Sequence, residues 1–241
     1  MSNPFRFKQF EVHQDRAAMK IGTDGVLLGA WVSIDHEPQT VLDIGTGTGL
    51  IALQLAQRSG AQLIDAVEID QDAYEQCVSN FEASTWSDRL FCYHASIQEY
   101  ASEMEEEYDL ITSNPPFFVD GPTSGDFSRD TARFDDALPL EHLVVCSLHL
   151  LSGDGRLAIV IPTDRESEML ELAEKHQVHL NRRCRVKGNP EADFKRVMME
   201  FSFFDDELIE EELCLRDEQG KFSSAYLELV DDFYLDLESS S

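Results

Sequence analysis

Basic residues are scarce in this chain. Its 241 residues carry 19 Lys and Arg against 47 Asp and Glu, a formal net charge of −28. That excess favours solubility and works against an anionic partner unless the few cations are gathered in one place. Cysteine is sparse too. Cys77, Cys92, Cys146, Cys184 and Cys214 form an odd, unclustered set, which argues against a disulfide framework or zinc site and for a reducing cytoplasm. The seven histidines lack H-E-x-x-H or comparable spacing, so no metal is expected. No apolar run approaches the roughly 18 residues of a membrane span, and Met1–Gln9 has no secretory core, so no membrane partner is expected. A G-x-S-x-G elbow, the mark of one form of Ser/His/Asp catalysis, is missing.

What is present is enough for a core, since 42% of the residues are hydrophobic. Short apolar runs at Val41–Ile44, Leu63–Ile69, Arg89–Tyr93, Asp109–Ser113, Arg156–Ile161, Val178–Val186 and Arg196–Phe204 read as strands. Between them, Leu50–Arg58, Asp72–Ala83, Leu140–Leu151 and Asp164–Lys175 carry apolar residues three and four apart and read as helices. This alternation predicts an α/β fold: a Rossmann-like, seven-stranded, mostly parallel sheet covered on both faces. The last two strands have no long crossover between them, which predicts an antiparallel strand at the sheet edge. Residues 1–33 precede this unit as an extension, and 34–204 make up the unit itself. Residues 205–241, with 13 Asp and Glu against 2 Lys and Arg, form an acidic tail. Tyr226, Leu229, Val230, Phe233 and Leu237 place one apolar helix face on that tail, so it is expected to dock as a helix. Val119–Ala137 is a long polar loop, of a length that usually serves function.

Val41-Leu42-Asp43-Ile44-Gly45-Thr46-Gly47-Thr48-Gly49-Leu50 reads as a strand, a tight turn and a helix start. Glycine allows close backbone approach to a ligand, and a helix start offers unpaired N–H groups. The dinucleotide pattern G-x-G-x-x-G is not met, because the glycines alternate and position 50 is Leu. Glu68, 19 residues after Gly49, stands where an acidic side chain accepts both hydroxyls of a ribose. Asp43 at the strand tip would repel a pyrophosphate but suits a sulfonium. A ligand with a ribose, a carboxylate, a positive charge and no phosphate meets these demands, and S-adenosylmethionine is that ligand.

Asn114-Pro115-Pro116-Phe117 follows the fourth strand. In open α/β sheets ligands lie beyond the carboxyl ends of strands, and the first and fourth strands commonly flank the crevice. Proline keeps Asn114 extended and stiffens the turn. A conjugated amine is a poor nucleophile because its lone pair is delocalised. Two fixed acceptors, the Asn114 side-chain oxygen and a backbone carbonyl such as that of Pro115, can bind its N–H groups and stabilise the charge that develops on nitrogen. Phe117 can stack on a planar substrate.

The order Asp43-x-Gly45-x-Gly47-x-Gly49, Glu68 and Asn114-Pro115-Pro116-Phe117 resembles the class I S-adenosylmethionine-dependent methyltransferases that modify nitrogen. Phe7-Lys8-Gln9-Phe10 and the stretch Met19-Lys20-Ile21-Gly22-Thr23-Asp24-Gly25-Val26-Leu27-Leu28-Gly29-Ala30-Trp31 are similar to the bacterial tRNA1(Val) (adenine-37-N6)-methyltransferase family. So are Arg129, Ala132-Arg133, Gly188-Asn189-Pro190, Arg196-Val197-Met198-Met199-Glu200 and Tyr226…Phe233-Tyr234-Leu235. The resemblance covers nearly the whole chain and implies that 34–204 is a methyltransferase domain. It implies that Gly45, Thr46, Gly47 and Gly49, near Asp43, hold the methionine part of the cofactor and that Glu68 holds the ribose. Ala95 and Ser96 would border the adenine, and Thr23 and Asp24 would line the entrance. The implied partner is a tRNA anticodon arm, bound by a monomeric protein. Protein N5-glutamine methylation remains a rival, although the usual helical domain has no counterpart in residues 1–40. DNA or ribosomal-RNA amino-methylation is another, and a non-catalytic cofactor-binding RNA module a third.

Binding RNA with this net charge requires local cations, because phosphate contacts dominate such affinities and charges beyond about 8 Å are screened. Six of the 19 basic residues (Arg182, Arg183, Arg185, Lys187, Lys195, Arg196) fall within fifteen positions, and Arg6, Lys8, Arg16 and Lys20 form a second group. Lys8, Lys20, Arg182, Arg183 and Arg185, with Arg129 and Arg133 from the polar loop, are the expected RNA contacts, meeting on one rim of the active site.

Overall fold

The computed structural model describes residues 3–17, 20–116 and 138–235. Phe117, Arg129, Arg133, Leu237 and the 119–137 loop named above lie outside the described residues. Two short strands, β1 (Phe5–Arg6) and β2 (Glu11–Val12), pair antiparallel and lead into helix α1 (Thr23–Trp31). The regular alternation follows: β3 (Thr40–Ile44), α2 (Leu50–Arg58), β4 (Leu63–Glu68), α3 (Gln71–Ala83), β5 (Leu90–His94), α4 (Ile97–Glu103) and β6 (Tyr108–Ser113). Then come α5 (Leu140–Leu150), β7 (Leu151–Pro162), a short 3₁₀ turn, α6 (Glu166–Lys175), β8 (His179–Lys187), β9 (Phe194–Ser202), β10 (Ile209–Cys214) and α7 (Ser224–Val230).

The α/β class is as expected, but the sheet has eight strands rather than seven, in the order β10-β8-β9-β7-β6-β3-β4-β5. Only β9 runs against the others, and it lies inside the sheet between β7 and β8 rather than at the edge. The α6 crossover carries the chain two strand positions past β7, and the short turn after β8 folds β9 back into the gap. The edge is taken by β10, parallel to β8 and drawn from the segment expected to be a helical tail. Its Glu210 and Glu212 stand opposite Arg183 and Arg185, so an acidic strand is laid along a basic one.

Parallel strands covered on both faces bury nearly every side chain. In β7, Ala158 and Val160 face the core under α1, α2, α3 and α7, whereas Leu157, Ile159 and Ile161 face that under α4, α5 and α6. Helix starts follow local chemistry. Asp70 caps α3 by accepting from the Ala73 N–H at 2.8 Å, and Ser223 accepts from Tyr226 at the start of α7. The N-terminal hairpin is held by the distant 233–234 stretch: the Lys8 N–H donates to the Phe233 carbonyl at 2.7 Å, and Phe7 bridges Tyr234. No helix of the described residues is long and apolar enough to cross a membrane.

Candidate active site

Strands β3 and β6 are hydrogen-bonded neighbours in register, with Asp43 opposite Thr112 and Ile44 opposite Ser113. The Ser113 hydroxyl donates to the Ile44 carbonyl at 2.9 Å, tying the two tips together. The glycine turn therefore leaves β3 at the level where Asn114 leaves β6. Asn114 and Pro116 are half-buried and Pro115 is buried.

The turn is wound on left-handed backbone, with φ of +68° at Gly45, +58° at Gly47 and +83° at Gly49. These glycines do different work. A β-carbon on Gly49 would lie 2.5 Å from Phe81 Cε1 and 3.0 Å from Cys77 Sγ, so this residue lets α2 seat against α3. On Gly45 or Gly47 it would meet no atom within 4 Å. Those two positions line open space beside Glu68, a cradle of the kind a bound ligand fills. Glu68 is buried and shapes the cradle, with its Oε2 accepting from the Gly47 N–H at 2.8 Å and its Oε1 from the Asp70 N–H at 2.9 Å.

Asp43 is fully buried and does not line the cradle as a bare charge. Its Oδ2 accepts from the Thr46 hydroxyl at 2.6 Å and its Oδ1 from the Thr112 hydroxyl at 3.0 Å. Burial pushes its carboxyl up to about 6, against the opposing pull of those two hydroxyls. It organises the turn from beneath. Asn80 does the same from α3: its Nδ2 donates to the carbonyls of Thr48 (2.8 Å) and His13 (2.9 Å), and its Oδ1 accepts from the His13 N–H. Thr112 and Asn80 carry no motif signal, and both escape a sequence reading.

Helix α1 forms another wall. Exposed Thr23 begins it, and a β-carbon on buried Gly25 would stand 3.6 Å from Asn114 Nδ2 and 3.4 Å from Leu50 Cδ2. Asp24 Oδ2 accepts from Arg196 Nε at 2.7 Å, which binds the first turn of α1 to the start of β9. Beyond β5, Ala95 is half-buried, and its N–H donates to the Glu68 carbonyl at 3.1 Å. The Ser96 hydroxyl is engaged in the capping box of α4 with Glu99, which leaves Ala95 and the local backbone as the border on that side.

The expected basic rim is not assembled as expected. Successive residues of a strand point to opposite faces, so Arg182 turns to the α1 face and Arg183 and Arg185 to the α6 face. Arg182 donates to Glu211 at 2.9 and 3.1 Å and to the Trp31 carbonyl at 2.8 Å. Arg183 pairs with Glu166 and Glu210, and Arg185 with Glu166. These charges are spent on fastening β8 to β10 and α6. Lys8 pairs with Asp231 at 3.3 Å, and Lys20 is exposed. Among the described residues no three His, Cys, Asp or Glu converge on a metal-sized site.

A mostly parallel sheet with a glycine cradle at one strand tip, an acidic residue at the next and Asn-Pro-Pro on the neighbour defines a class I S-adenosylmethionine-dependent methyltransferase. A solved structure described as a predicted O-methyltransferase from Agrobacterium tumefaciens shares this fold, with a TM-score of 0.63, 17% identity and coverage of 87% of this chain and 96% of that one. The family "Methyltransferase small domain" matches residues 22–179. A protein of Christiangramia forsetii is 55% identical over 98% of this chain and its own full length, and one of Flavobacterium johnsoniae is 50% identical over 96% of this chain and 99% of its own. Both bear the name tRNA1(Val) (adenine(37)-N6)-methyltransferase, and this chain belongs to their family.

Proposed function

We propose that this protein transfers the methyl group of S-adenosylmethionine to the exocyclic N6 of an adenine in a tRNA anticodon loop, adenine 37 of tRNA1(Val), as a monomer in the cytoplasm. The reaction type rests on one observation: the glycine cradle and Asn114 leave hydrogen-bonded strands one residue beyond the same rung, Ile44 opposite Ser113. The choice of RNA follows the names of the relatives. The five cysteines, all free thiols, are consistent with a reducing compartment.

The cofactor, when bound, supplies a methyl group on an electrophilic sulfonium. Gly45 and Gly47 leave space for its methionine part, Thr46 and Gly49 fix the turn around it, and Glu68 faces its ribose. Thr23 stands at the entrance, and Ala95 with the Ser96 backbone borders the adenine. Asn114 and the Pro115 carbonyl would accept the two N–H groups of the target amine, drawing its lone pair out of conjugation as the nitrogen–methyl bond forms and the sulfur–methyl bond breaks to a neutral thioether. The acidic ammonium then releases one proton to water. Pro116 holds that geometry, and Phe117 stacks on the target base. The base must leave its stack to reach Asn114, which costs less in a hairpin loop than in a duplex.

The test is methyl transfer from labelled cofactor to total RNA of a strain lacking this protein, followed by nucleoside mapping. N6-methyladenine at one anticodon-loop position is expected. Asn114→Ala should keep cofactor binding and lower turnover by about 10²-fold or more, as for loss of one preorganised polar contact. Label in another nucleoside, or unimpaired turnover of Asn114→Ala, refutes the assignment.

A further inference from the structure

Ten of the described Lys and Arg side chains have a carboxylate partner. Arg58 donates to the Gly29 and Val32 carbonyls at the carboxyl end of α1, and Arg89 donates to carbonyls around the carboxyl end of α2. Five cations remain without a carboxylate partner among the described residues: Lys20, Lys187, Lys195, Arg216 and Lys221.

All five gather at one end of the sheet. Lys187 ends β8 opposite Phe194 and Cys214, and Lys195 follows Phe194 at the start of β9. Its neighbour Arg196 stands opposite Pro162, the last residue of β7, so this turn lies at the carboxyl end of the parallel strands. The turn after β10 lies alongside, with the Arg216 N–H donating to the Gly188 carbonyl at 3.1 Å and the Asp217 N–H to the Lys221 carbonyl at 2.8 Å. Lys20 enters from the other side, four positions before Asp24, which is bound to Arg196. That is the end of the sheet from which Asn114 emerges.

Two of these cations rest on aromatic rings, Lys187 Nζ at 5.3 Å from the Phe194 centroid and Arg216 Cζ at 4.5 Å from that of Phe222. The same turns also carry Glu191, Asp193, Asp217 and Glu218, so the rim is nearly neutral. On a chain of net charge −28, a nearly neutral rim that carries cations without carboxylate partners repels a polyanion less than the chain's average surface does.

We infer that the paired turns 187–195 and 215–221, with Lys20, form the surface that holds the phosphates of the RNA substrate, and that Arg182, Arg183 and Arg185 take no part. This rests on the proposed RNA methylation and adds where the RNA lies: across the β8–β10 side of the cleft, its target base reaching inward toward Asn114. Ion pairing elsewhere leaves those cations already neutralised, whereas a free lysine releases a counterion for each phosphate it meets.

The experiment measures binding of an anticodon stem-loop RNA to the full chain across a salt series. Each lost phosphate contact lowers the slope of log affinity against log salt by about 0.7 to 0.9. Lys187→Gln with Lys195→Gln should therefore reduce it by about 1.4 to 1.8 and weaken binding about tenfold or more at 0.1 M salt. Lys195→Gln with Lys221→Gln, which breaks no hydrogen bond of either side chain, should act alike if Lys187 proves needed for the turn. Lys175→Gln, which removes a charge paired with Glu141 on α5, should leave the slope unchanged. Binding of S-adenosylmethionine should be unaffected in all three. RNA binding with an unreduced slope in both lysine pairs overturns this surface alone. Failure of the unaltered protein to bind or methylate RNA overturns the functional reading and the surface with it.

Discussion

The three glycines of the β3–α2 turn separate stability from ligand binding. Replacing Gly49 by Ala combines two penalties: left-handed backbone at φ +83° and a methyl 2.5 Å from Phe81 Cε1. The first costs about 1–2 kcal/mol and the second, as overpacking of a filled interior, about 1–3 kcal/mol. Together they make about 2–5 kcal/mol, a large share of a domain's typical stability of about 5–15 kcal/mol. Gly47→Ala, at φ +58° with no atom within 4 Å, suffers only the backbone penalty of about 1–2 kcal/mol. Its methyl, however, projects into the cradle beside Glu68, where it should weaken S-adenosylmethionine by at least about tenfold, or about 1.4 kcal/mol. Urea unfolding gives the first quantity for each variant and titration calorimetry the second. Gly49→Ala should lose more stability and Gly47→Ala more affinity per unit of stability lost. If Gly47→Ala bound the cofactor like the unaltered protein, or Gly49→Ala unfolded no earlier than Gly47→Ala, the division of labour drawn from the geometry would be wrong.

Other expectations follow from buried groups. The folded pKa of Asp43 lies near 6, above its ordinary value of 3.8. Between those values the folded protein keeps a proton that the unfolded chain has lost, so this group makes stability decline as pH rises through that window, by up to about 3 kcal/mol. Asp43→Asn should flatten that decline in urea titrations from pH 4 to 7, and parallel curves for the two proteins would exclude it. Arg182→Ala, which removes the bidentate contact with Glu211 and the guanidinium 4.3 Å above Trp31, should lower the midpoint of unfolding by an amount equivalent to about 2 kcal/mol while leaving the salt dependence of RNA binding intact. A change in that salt dependence would return Arg182 to the RNA surface. Gly29→Ala places a carbon 2.3 Å from Gln54 Oε1 and should break the 3.1 Å bond from Gln54 Nε2 to the Val26 carbonyl, at a cost of about 1–3 kcal/mol in thermal unfolding. Unchanged unfolding would mean that α1 and α2 pack less closely there than the geometry requires.

The elements with strong local signals were legible. Helix α2 has the predicted bounds of Leu50–Arg58, and α3 starts one residue before the predicted Asp72, because apolar spacing and glycine punctuation act over a few residues. Strand order is a long-range property. The inward place of β9 depends on where α6 delivers β8, and no window around Phe194 encodes it. Strand β10 was hidden by Glu210, Glu211 and Glu212, residues that disfavour strands until a basic partner such as β8 stands alongside. Helix α1 was hidden by Gly22, Gly25 and Gly29, since its stability comes from packing on α2 and α7 rather than from propensity. At the site, the cradle and Asn114 were readable because their chemistry forces uncommon residue types. The engagement of Ser96 with Glu99, and helix α4 that it starts, were missed, although Ser-x-x-Glu is the local mark of a helix start. The alternating faces of Arg182 and Arg183 follow from strand geometry, but their carboxylate partners lie on α6 and β10, beyond any local reading.

The hairpin that carries the chain toward α1 is fastened to residues made some two hundred positions later, with the Lys8 side chain meeting Asp231 across a separation of 223. On the ribosome, the central α/β layers can begin to pack as their strands emerge, whereas the hairpin must wait for Phe233 and Tyr234 before its outer side is covered. Helix α1, which carries Thr23, Asp24 and Gly25, also packs in the same core as α7, so its outer side gains its last cover from this late segment. A nascent chain in which the sheet is already closed would still have an unfinished mouth to its cleft until this late segment docks.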